Sequence, residues 1–201
     1  MAFLIDQAYL PALLTVGPMT DLEFANFCAE HPDLSFEMTA DGQLLVMPQT
    51  HTLTGARNAE IAFQLGTWVR KDRRGMDFDS STGFVLPNGA RRSPDAAGIL
   101  KQRMKDLSAD SLNAFWRLCP DFVIELRSQS DRLPALRDKM NEYLANGAQL
   151  GWLIDPDTRT IEVYRPGLAP EILTNPAAVA GEGPIQGFLL DLPPVWDPLQ
   201  P

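Results

Sequence analysis

Short apolar runs in this chain predict β-strands. Residues 121–126 contain an apolar run with two β-branched side chains, Val123 and Ile124, and they follow a proline, which is typical of a buried strand. Two further segments, residues 35–47 and 150–164, each hold two short runs around a polar turn. In the first of them the turn is Asp41-Gly42, a strong signal for a hairpin. We therefore predict one central buried strand and two hairpins.

Other segments have apolar positions at helical spacing. Thr20 and Glu23 form a capping box, which predicts the start of a helix that runs to about Glu30. Gly147 is a stop signal for a later helix. The predicted helices cover residues 20–30, 54–70, 100–118 (with a second helix start at Ser108) and 133–146.

The length of 201 residues suits one domain with a real core, so we predict a single domain over residues 1–201. Helix 20–30 is its N-terminal helix. The proline-rich chain from about residue 166 is predicted to be irregular, apart from a short strand near residues 188–192. The sequence contains no recognisable internal repeat or second domain.

The net charge of −9 and the cysteine content limit the function classes. An acidic surface disfavours loose binding of nucleic acid, which counts against a DNA-coating protein. Cys28 and Cys119 lack metal-ligand spacing and make no disulfide framework, so we expect a reducing, cytoplasmic location. The N-terminal run lacks a basic leader and no apolar run reaches membrane-spanning length, so we expect neither a signal peptide nor a membrane partner.

Two carboxylates beside predicted strands carry the candidate chemistry. Glu125 lies near the end of the buried strand, and alternation places Arg127 on the same face. Asp95 follows an Asn88-Gly89 hairpin turn and begins a short strand through Ile99. Two carboxylates at the ends of neighbouring strands can hold Mg²⁺ or Mn²⁺ for chemistry on a phosphate. The structural alternative is that Asp95 caps a turn and Glu125 pairs with Arg127 at the rim of the sheet.

The order of motifs resembles a known family. RSPDAA followed by CPDFVIELRSQSD is similar to the PD-(D/E)xK nuclease superfamily. With FEMTADGQLLVMP, RDKMNEYLANGAQLGWLIDP and IEVYRP, the run from residue 36 to residue 166 more closely resembles the Uma-two family of restriction-endonuclease-like proteins, abundant in cyanobacteria. The resemblance implies an α/β fold, with a mixed sheet flanked by helices around a restriction-endonuclease-like core. It also implies a divalent metal site with Asp95 and Glu125 as ligands.

One departure from the superfamily pattern concerns the lysine two residues after the acid. Arg127 occupies that position, and arginine keeps the charge but does not readily release a proton. The resemblance points instead to Lys139, in the following helix. It also places Glu37 where the family has an acid in its first strand, as a further metal ligand. A solvent-facing strand residue is the equal alternative for Glu37.

Three polar residues are candidate substrate contacts. Asn58 is the one polar residue on the predicted apolar face of helix 54–70. The family resemblance implies a histidine near the site at this position in many relatives. Asparagine there could still hydrogen-bond a phosphate or a metal-bound water. Arg92 precedes the PD pair and could contact a phosphate. Ser128 matches a family serine that could orient Glu125, with capping of a turn as the alternative.

A basic run, Arg70 to Arg74, ends helix 54–70. These cations complement the helix dipole, and contact with a DNA backbone is the alternative.

The sequence supports three functional hypotheses. The first is a metal-dependent endonuclease that hydrolyses phosphodiester bonds in nucleic acid, with DNA favoured, in which Lys139 and Arg127 stabilise developing charge. The second is a catalytically inactive binding or interaction module on a nuclease fold, which the acidic charge and the missing strand lysine motivate. The third is a metal hydrolase of small phosphate esters. Cleavage of two strands would favour a homodimer, but no interface is recognisable, so the oligomeric state stays open.

Overall fold

The computed structural model describes residues 10–17, 19–105, 107 and 114–200. The strands in chain order are β1 (Ala12–Thr15), β2 (Ser35–Met38), β3 (Gln43–Met47), β4 (Gly75–Asp79), β5 (Phe84–Val85), β6 (Arg91–Arg92), β7 (Ala96–Leu100), β8 (Phe122–Leu126), β9 (Leu150–Asp155), β10 (Thr160–Tyr164), β11 (Glu171–Thr174), β12 (Ala178–Ala180) and β13 (Leu189–Asp191). The helices are α1 (Asp21–Glu30), α2 (Thr52–Asp72), α3 (Lys101–Met104), α4 (Leu133–Ala145) and α5 (Pro193–Trp196), with a 3₁₀ turn at Gly183–Ile185. None of the helices in these ranges is both long and apolar enough to cross a membrane.

The largest sheet has six strands in the order β11-β10-β9-β8-β7-β4. Strands β8 and β9 are parallel, and the chain crosses between them through α4, because parallel neighbours need a long connection. The other neighbouring strands are antiparallel. Helix α2 packs on one face of this sheet and α4 on the other. The expected α/β fold, a mixed sheet flanked by helices, is therefore confirmed.

Alternation along β8 decides which helix each side chain faces. Ile124 belongs to the apolar cluster that contains Leu65 of α2. Val123 belongs to the opposite cluster, which contains Met140 of α4. Because side chains two residues apart share a face, Glu125 points to the α4 side with Val123.

A second sheet has five antiparallel strands in the order β1-β3-β2-β6-β5. Helix α1 covers it, and Phe24 of this helix shares an apolar cluster with Phe36, Met38 and Val46 of the sheet. Strands β12 and β13 form a separate pair. The two larger sheets supply the walls of the candidate site.

Most elements predicted from the sequence are present. Helix α1 begins behind the predicted capping box, in which the backbone N–H of Glu23 donates to the Thr20 hydroxyl at 3.2 Å. The hairpins predicted in residues 35–47 and 150–164 form as β2–β3 and β9–β10, and the predicted Asn88-Gly89 turn joins β5 to β6. Gly147 follows α4 with a φ of 108°, the left-handed conformation that ends a helix most easily at glycine.

Among the described residues of the segment 100–118, the predicted helix is present only at Lys101–Met104, and the prediction is wrong for residues 114–118. Strand β7 continues to Leu100, so helix α3 begins only at Lys101, and it ends at Met104. Trp116 instead forms a parallel bridge with Phe84 beside β5. The second helix start proposed at Ser108 lies outside the described residues.

The C-terminal segment is more ordered than the predicted irregular chain. Strand β11 extends the six-stranded sheet, and β13 forms where a short strand is expected. Ile185, Leu190 and Trp196 are buried in the same cluster as α2. Prolines open α5, where a missing N–H costs no helical hydrogen bond, so the prolines are compatible with this packing.

Candidate active site

Asp95 and Glu125 meet because β7 and β8 pair antiparallel. Ala96 lies opposite Ile124 in the ladder, so Asp95, the residue before β7, lies beside Glu125. The backbone N–H of Leu126 donates a 2.8 Å hydrogen bond to Asp95 Oδ2. Glu125 is buried and Asp95 is half-buried. The pairing of two strands therefore fixes both carboxylates at one place.

Asn58 of α2 contacts the other oxygen of Asp95. Its Nδ2 donates a 2.8 Å hydrogen bond to Asp95 Oδ1. Its own Oδ1 is buried and has no partner among the described residues. Buried amide oxygens nearly always have a partner, so this atom can still bind a donor or a cation.

Glu125 is held through one oxygen by two residues of α4. Lys139 Nζ lies 2.8 Å from Glu125 Oε1, and the Tyr143 hydroxyl donates a 2.9 Å hydrogen bond to the same atom. Lys139 and Tyr143 are four residues apart in the helix and so share its inner face. The other oxygen, Oε2, accepts no hydrogen bond from the described residues.

Glu37 of β2 joins the group through Lys139. Lys139 Nζ lies 2.8 Å from Glu37 Oε1, which also accepts a 2.8 Å hydrogen bond from the backbone N–H of Ser93. Arg92 donates to Glu37 Oε2 at 3.1 Å and to Glu142 Oε2 at 2.6 Å. Both oxygens of Glu37 are therefore engaged by protein donors.

Burial and neighbouring charges shift the pKa values of this group. Burial raises the pKa of Glu125 to about 8 against the opposing effect of Lys139, and the charges of Asp95 and Glu37 raise it further. Burial also raises the pKa of Asp95. Burial disfavours the charge of Glu37, but Lys139 and Arg92 outweigh it and lower its pKa. Burial likewise opposes the charge of Lys139, but Glu125 and Glu37 outweigh it and raise its pKa, so Lys139 stays an ammonium.

A cleft of about 1110 Å³ opens beside these side chains. Its lining includes Asn58, Asp95 and Glu125 from the six-stranded sheet and its helices, and Glu37 from the five-stranded sheet. A cleft of this size can admit a substrate of several atoms to Asp95 and to Glu125 Oε2.

Among the described residues, four lysines and arginines line this cleft. Arg91, Arg92 and Lys139 each bind carboxylates of the protein. Arg132, the residue before α4, is exposed and has no ion pair within the described ranges. Arg132 is therefore the cation of the cleft that remains available to an anionic ligand.

Two sequence candidates have other partners. Arg127 does not reach Glu125, because its Nη1 donates a 2.8 Å hydrogen bond to Asp155 Oδ2. Ser128 also does not orient Glu125, because its hydroxyl donates to Asp131 Oδ2 at 2.7 Å and caps the turn before α4. The alternative role given for Ser128, capping of a turn, is therefore the one that the structure shows.

Sequence reasoning missed three residues of the site. Tyr143 gives no signal in a hydrophobic pattern, because its ring is apolar and its hydroxyl is not visible there. Its spacing of four residues from Lys139 was the available signal. The sequence does not identify Glu142 or Arg132 as site residues. Glu142 binds Arg92, which is distant in sequence, and the absence of an ion pair at Arg132 within the described residues is visible only in the fold.

The donor set fits a hard divalent cation. Among the described residues, no three His, Cys, Asp or Glu side chains form a preformed metal-binding group. Glu37 is already paired with two cations, whereas each oxygen of Asp95 accepts one hydrogen bond from a neutral donor and keeps a lone pair. The oxygens that remain for a cation are therefore those of Asp95, Glu125 Oε2 and the unpartnered Asn58 Oδ1. One or two carboxylates, completed by waters and substrate phosphates, are the usual protein ligands of Mg²⁺.

The comparisons with known proteins assign the chain to a family. The model of the Uma2 (Uma-two) family, described as "Putative restriction endonuclease", matches residues 21–193. The match covers most of the 201 residues, so the chain belongs to this family. No curated protein matches the chain.

A solved structure has a similar fold. It is described as the crystal structure of "a putative nuclease belonging to DUF820" from Anabaena variabilis ATCC 29413. The TM-score is 0.73 at 22% sequence identity, and the match covers 90% of this chain and 98% of that chain. The expected restriction-endonuclease-like core is therefore confirmed as a fold.

Proposed function

We propose that this member of the Uma2 family is a divalent-cation-dependent nuclease that hydrolyses phosphodiester bonds in nucleic acid, with DNA as the favoured substrate. The observation that carries the proposal is the meeting of Asp95, Glu125 and Lys139 at one cleft. The family description and the name of the structural neighbour support the same class of reaction.

Asp95 and Glu125 are the proposed ligands of Mg²⁺ or Mn²⁺, and Asn58 adds its free amide oxygen. When bound, the cation supplies positive charge to the phosphate and makes water a better nucleophile. Asn58 also holds Asp95 in place through its Nδ2. Because these contacts exist before substrate arrives, the donors need little reorganisation.

Lys139 has two proposed tasks. Its ammonium holds Glu125 at 2.8 Å and so fixes the direction of the free Oε2. It also places a positive charge where negative charge grows on the phosphate during hydrolysis. Since its pKa is raised by Glu125 and Glu37 despite burial, Lys139 acts as a cation rather than as a proton acceptor.

Glu37 is proposed to position Lys139 rather than to bind the metal. Its two oxygens are occupied by Lys139, Arg92 and the Ser93 backbone. Arg92, already bound to two carboxylates, supports this arrangement. Arg132, which has no ion pair within the described chain, is the proposed contact for a phosphate next to the cleaved one.

The test combines metal binding with cleavage. Calorimetric titration of Mn²⁺ into the wild type should show binding that Asp95→Asn and Glu125→Gln remove. Cleavage of supercoiled and linear DNA, and of RNA, should require Mg²⁺ or Mn²⁺ and be lost in both variants. Circular dichroism and urea unfolding check that the variants are folded. Cleavage retained by either folded variant contradicts the assignment.

A second function has one observation in its favour. Arg127, at the position of the superfamily lysine, is bound to Asp155, so β8 brings no cation to Glu125. This arrangement suits a catalytically silent module that binds nucleic acid or a protein partner. Under that function the wild type binds nucleic acid without cleaving it in any divalent metal, which separates the two proposals.

A further inference from the structure

Seven of the 17 lysine and arginine residues lie in two short segments, residues 70–74 and 101–105. They are Arg70, Lys71, Arg73, Arg74, Lys101, Arg103 and Lys105, and we call this set the basic edge. The two segments contain one acid, Asp72, so the rest of the chain holds ten cations and 25 acids. Positive charge is therefore concentrated in these two segments, and the rest of the chain is strongly acidic.

Tertiary structure brings the two segments together. Strand β4 follows the first segment and β7 precedes the second, and Gly75 pairs with Leu100 at the end of their ladder. The backbone N–H of Lys101 donates a 2.8 Å hydrogen bond to the carbonyl of Arg74. Two basic runs that are distant in sequence thus adjoin at one edge of the six-stranded sheet.

Most cations of the basic edge are available to a partner. Arg74 pairs with Asp72, and Arg103 pairs with Asp121. The others are exposed and have no ion pair within the described ranges: Arg70, Lys71, Arg73, Lys101 and Lys105. Arg70 and Lys71 complement the dipole of α2 from its last turn, but Arg73, Lys101 and Lys105 have no such partner and neighbouring like charges repel each other.

The backbone at Arg73 gives a second reason to expect a role for its charge. Arg73 ends α2 with a φ of 63°, in the left-handed region. Glycine adopts this conformation at no steric cost, whereas a residue with a Cβ pays for it. The presence of arginine at a position better suited to glycine is consistent with a function for the positive charge of Arg73.

The basic edge is distant from the candidate active site. Asn58 contacts Asp95 near the start of α2, and Arg70 lies twelve residues later in the same helix. At 1.5 Å per residue this is about 18 Å along the helix axis. The basic edge therefore cannot take part in the chemistry at the cleft.

We propose that the basic edge binds the phosphate backbone of nucleic acid away from the site of cleavage. The choice of nucleic acid as partner rests on the proposed function. Exposed lysines and arginines bind phosphates by releasing counterions, without reading sequence. The acidic remainder of the surface repels the backbone elsewhere, so the segregated charge orients the nucleic acid on the protein.

The test measures binding of a fluorescent DNA duplex of about 30 base pairs, long enough to span the distance from cleft to basic edge. The full chain is used in EDTA, so that no cleavage occurs, over a series of salt concentrations. The variant is the triple substitution Arg73→Gln, Lys101→Gln and Lys105→Gln. The matched control is Arg117→Gln, Arg159→Gln and Arg165→Gln, which changes net charge equally but removes arginines that form surface ion pairs.

The basic-edge variant should bind about tenfold more weakly, and the slope of log affinity against log salt should fall by about three. The control should bind like the wild type. Equal binding by both triple variants, or no binding by the wild type, overturns the proposal. The proposal is also overturned, in favour of a membrane surface, if the basic-edge variant loses the binding to phosphatidylserine vesicles that the wild type shows but binds the duplex as the wild type does.

This outcome is independent of catalysis. If the wild type binds through the basic edge but never cleaves with Mg²⁺ or Mn²⁺, the inference stands and the nuclease proposal fails. If the wild type cleaves and both triple variants bind alike, the nuclease proposal stands and the inference fails.

Discussion

Lys139 Nζ bridges Glu37 and Glu125, at 2.8 Å from Oε1 of each. The three side chains come from α4, β2 and β8, so one ion-paired group joins the two larger sheets. Glu37 is fully buried and Glu125 is 3% exposed. Because water cannot compensate these carboxylates, the ammonium is required both for folding and for the proposed chemistry.

Replacing Lys139 by methionine should destabilise the fold by about 3–5 kcal/mol, since it leaves buried Glu125 without a cation and Glu37 with Arg92 alone. Urea unfolding measures this loss. The double variant Lys139→Met/Glu125→Gln should recover part of the stability, because the carboxylate that is left without a cation is removed as well. Wild-type stability in the single variant would show that the ion pairs contribute nothing.

Glu37→Gln should lower cleavage by about 10²-fold, with Mn²⁺ affinity close to that of the wild type. The reason is that the charge of Glu37 is already paired with Lys139 and Arg92, whereas Asp95 has only neutral donors. Calorimetry separates the two roles, because Asp95→Asn should lose the metal. A loss of Mn²⁺ affinity in Glu37→Gln equal to that in Asp95→Asn would make Glu37 a ligand.

Tyr143→Phe removes the hydroxyl that donates to Glu125 Oε1. We expect a stability loss of about 1 kcal/mol together with slower cleavage, because Glu125 is less firmly oriented. Tyr164→Phe is the matched control, since its hydroxyl donates to Glu162 rather than to a residue of the site. The control should lose similar stability and keep its cleavage rate. Equal rates in the two variants would limit Tyr143 to a structural role.

Arg132→Gln should raise KM about fivefold to tenfold while kcat changes little, because Arg132 is proposed to bind a phosphate that does not react. The slope of log KM against log salt concentration should also fall by about one, which corresponds to the loss of one phosphate contact. Arg137→Gln is the control on the same helix, where the guanidinium binds Glu162. A fall in kcat at constant KM would place Arg132 at the reacting phosphate instead.

Stability should fall in acid through Glu162. Burial disfavours its charge, but hydrogen bonds from Arg137 and Tyr164 outweigh burial and lower its pKa in the folded state. A carboxyl with a lowered folded pKa contributes stability above its unfolded pKa of about 4.3, and this contribution is lost as pH falls through the folded pKa. Urea unfolding of the wild type and Glu162→Gln between about pH 7 and pH 3 should show a difference that shrinks in acid. A difference in the free energy of unfolding that does not change with pH would contradict the proposed contribution of Glu162.

The sequence by itself determined the elements with strong local signals. The capping box at Thr20, the turn at Asp41-Gly42 and the stop at Gly147 each depend on a few adjacent residues. Asp95 and Glu125 could be named because each stands beside a short apolar strand, and because the order of motifs resembles a family. Their roles in catalysis stay predictions.

Local signals failed where long-range packing decides the conformation. The C-terminal chain looked irregular because proline is a turn residue, yet Trp196 is buried in the same cluster as α2. Residues 100–118 looked helical, yet β4 pairs with β7 as far as Leu100. In both cases contacts with residues distant in sequence outweigh weak local propensity.

Only the tertiary structure decided the partners of the charged residues. Arg127 could have joined Glu125 from its place in the chain, and the fold gives it Asp155 instead. Lys139 lies between Glu37 and Glu125 because α4 packs on the face of β8 to which Glu125 points. An ion pair depends on a separation of a few ångströms in space, and that separation is set by the packing of helices and sheets rather than by the order of residues.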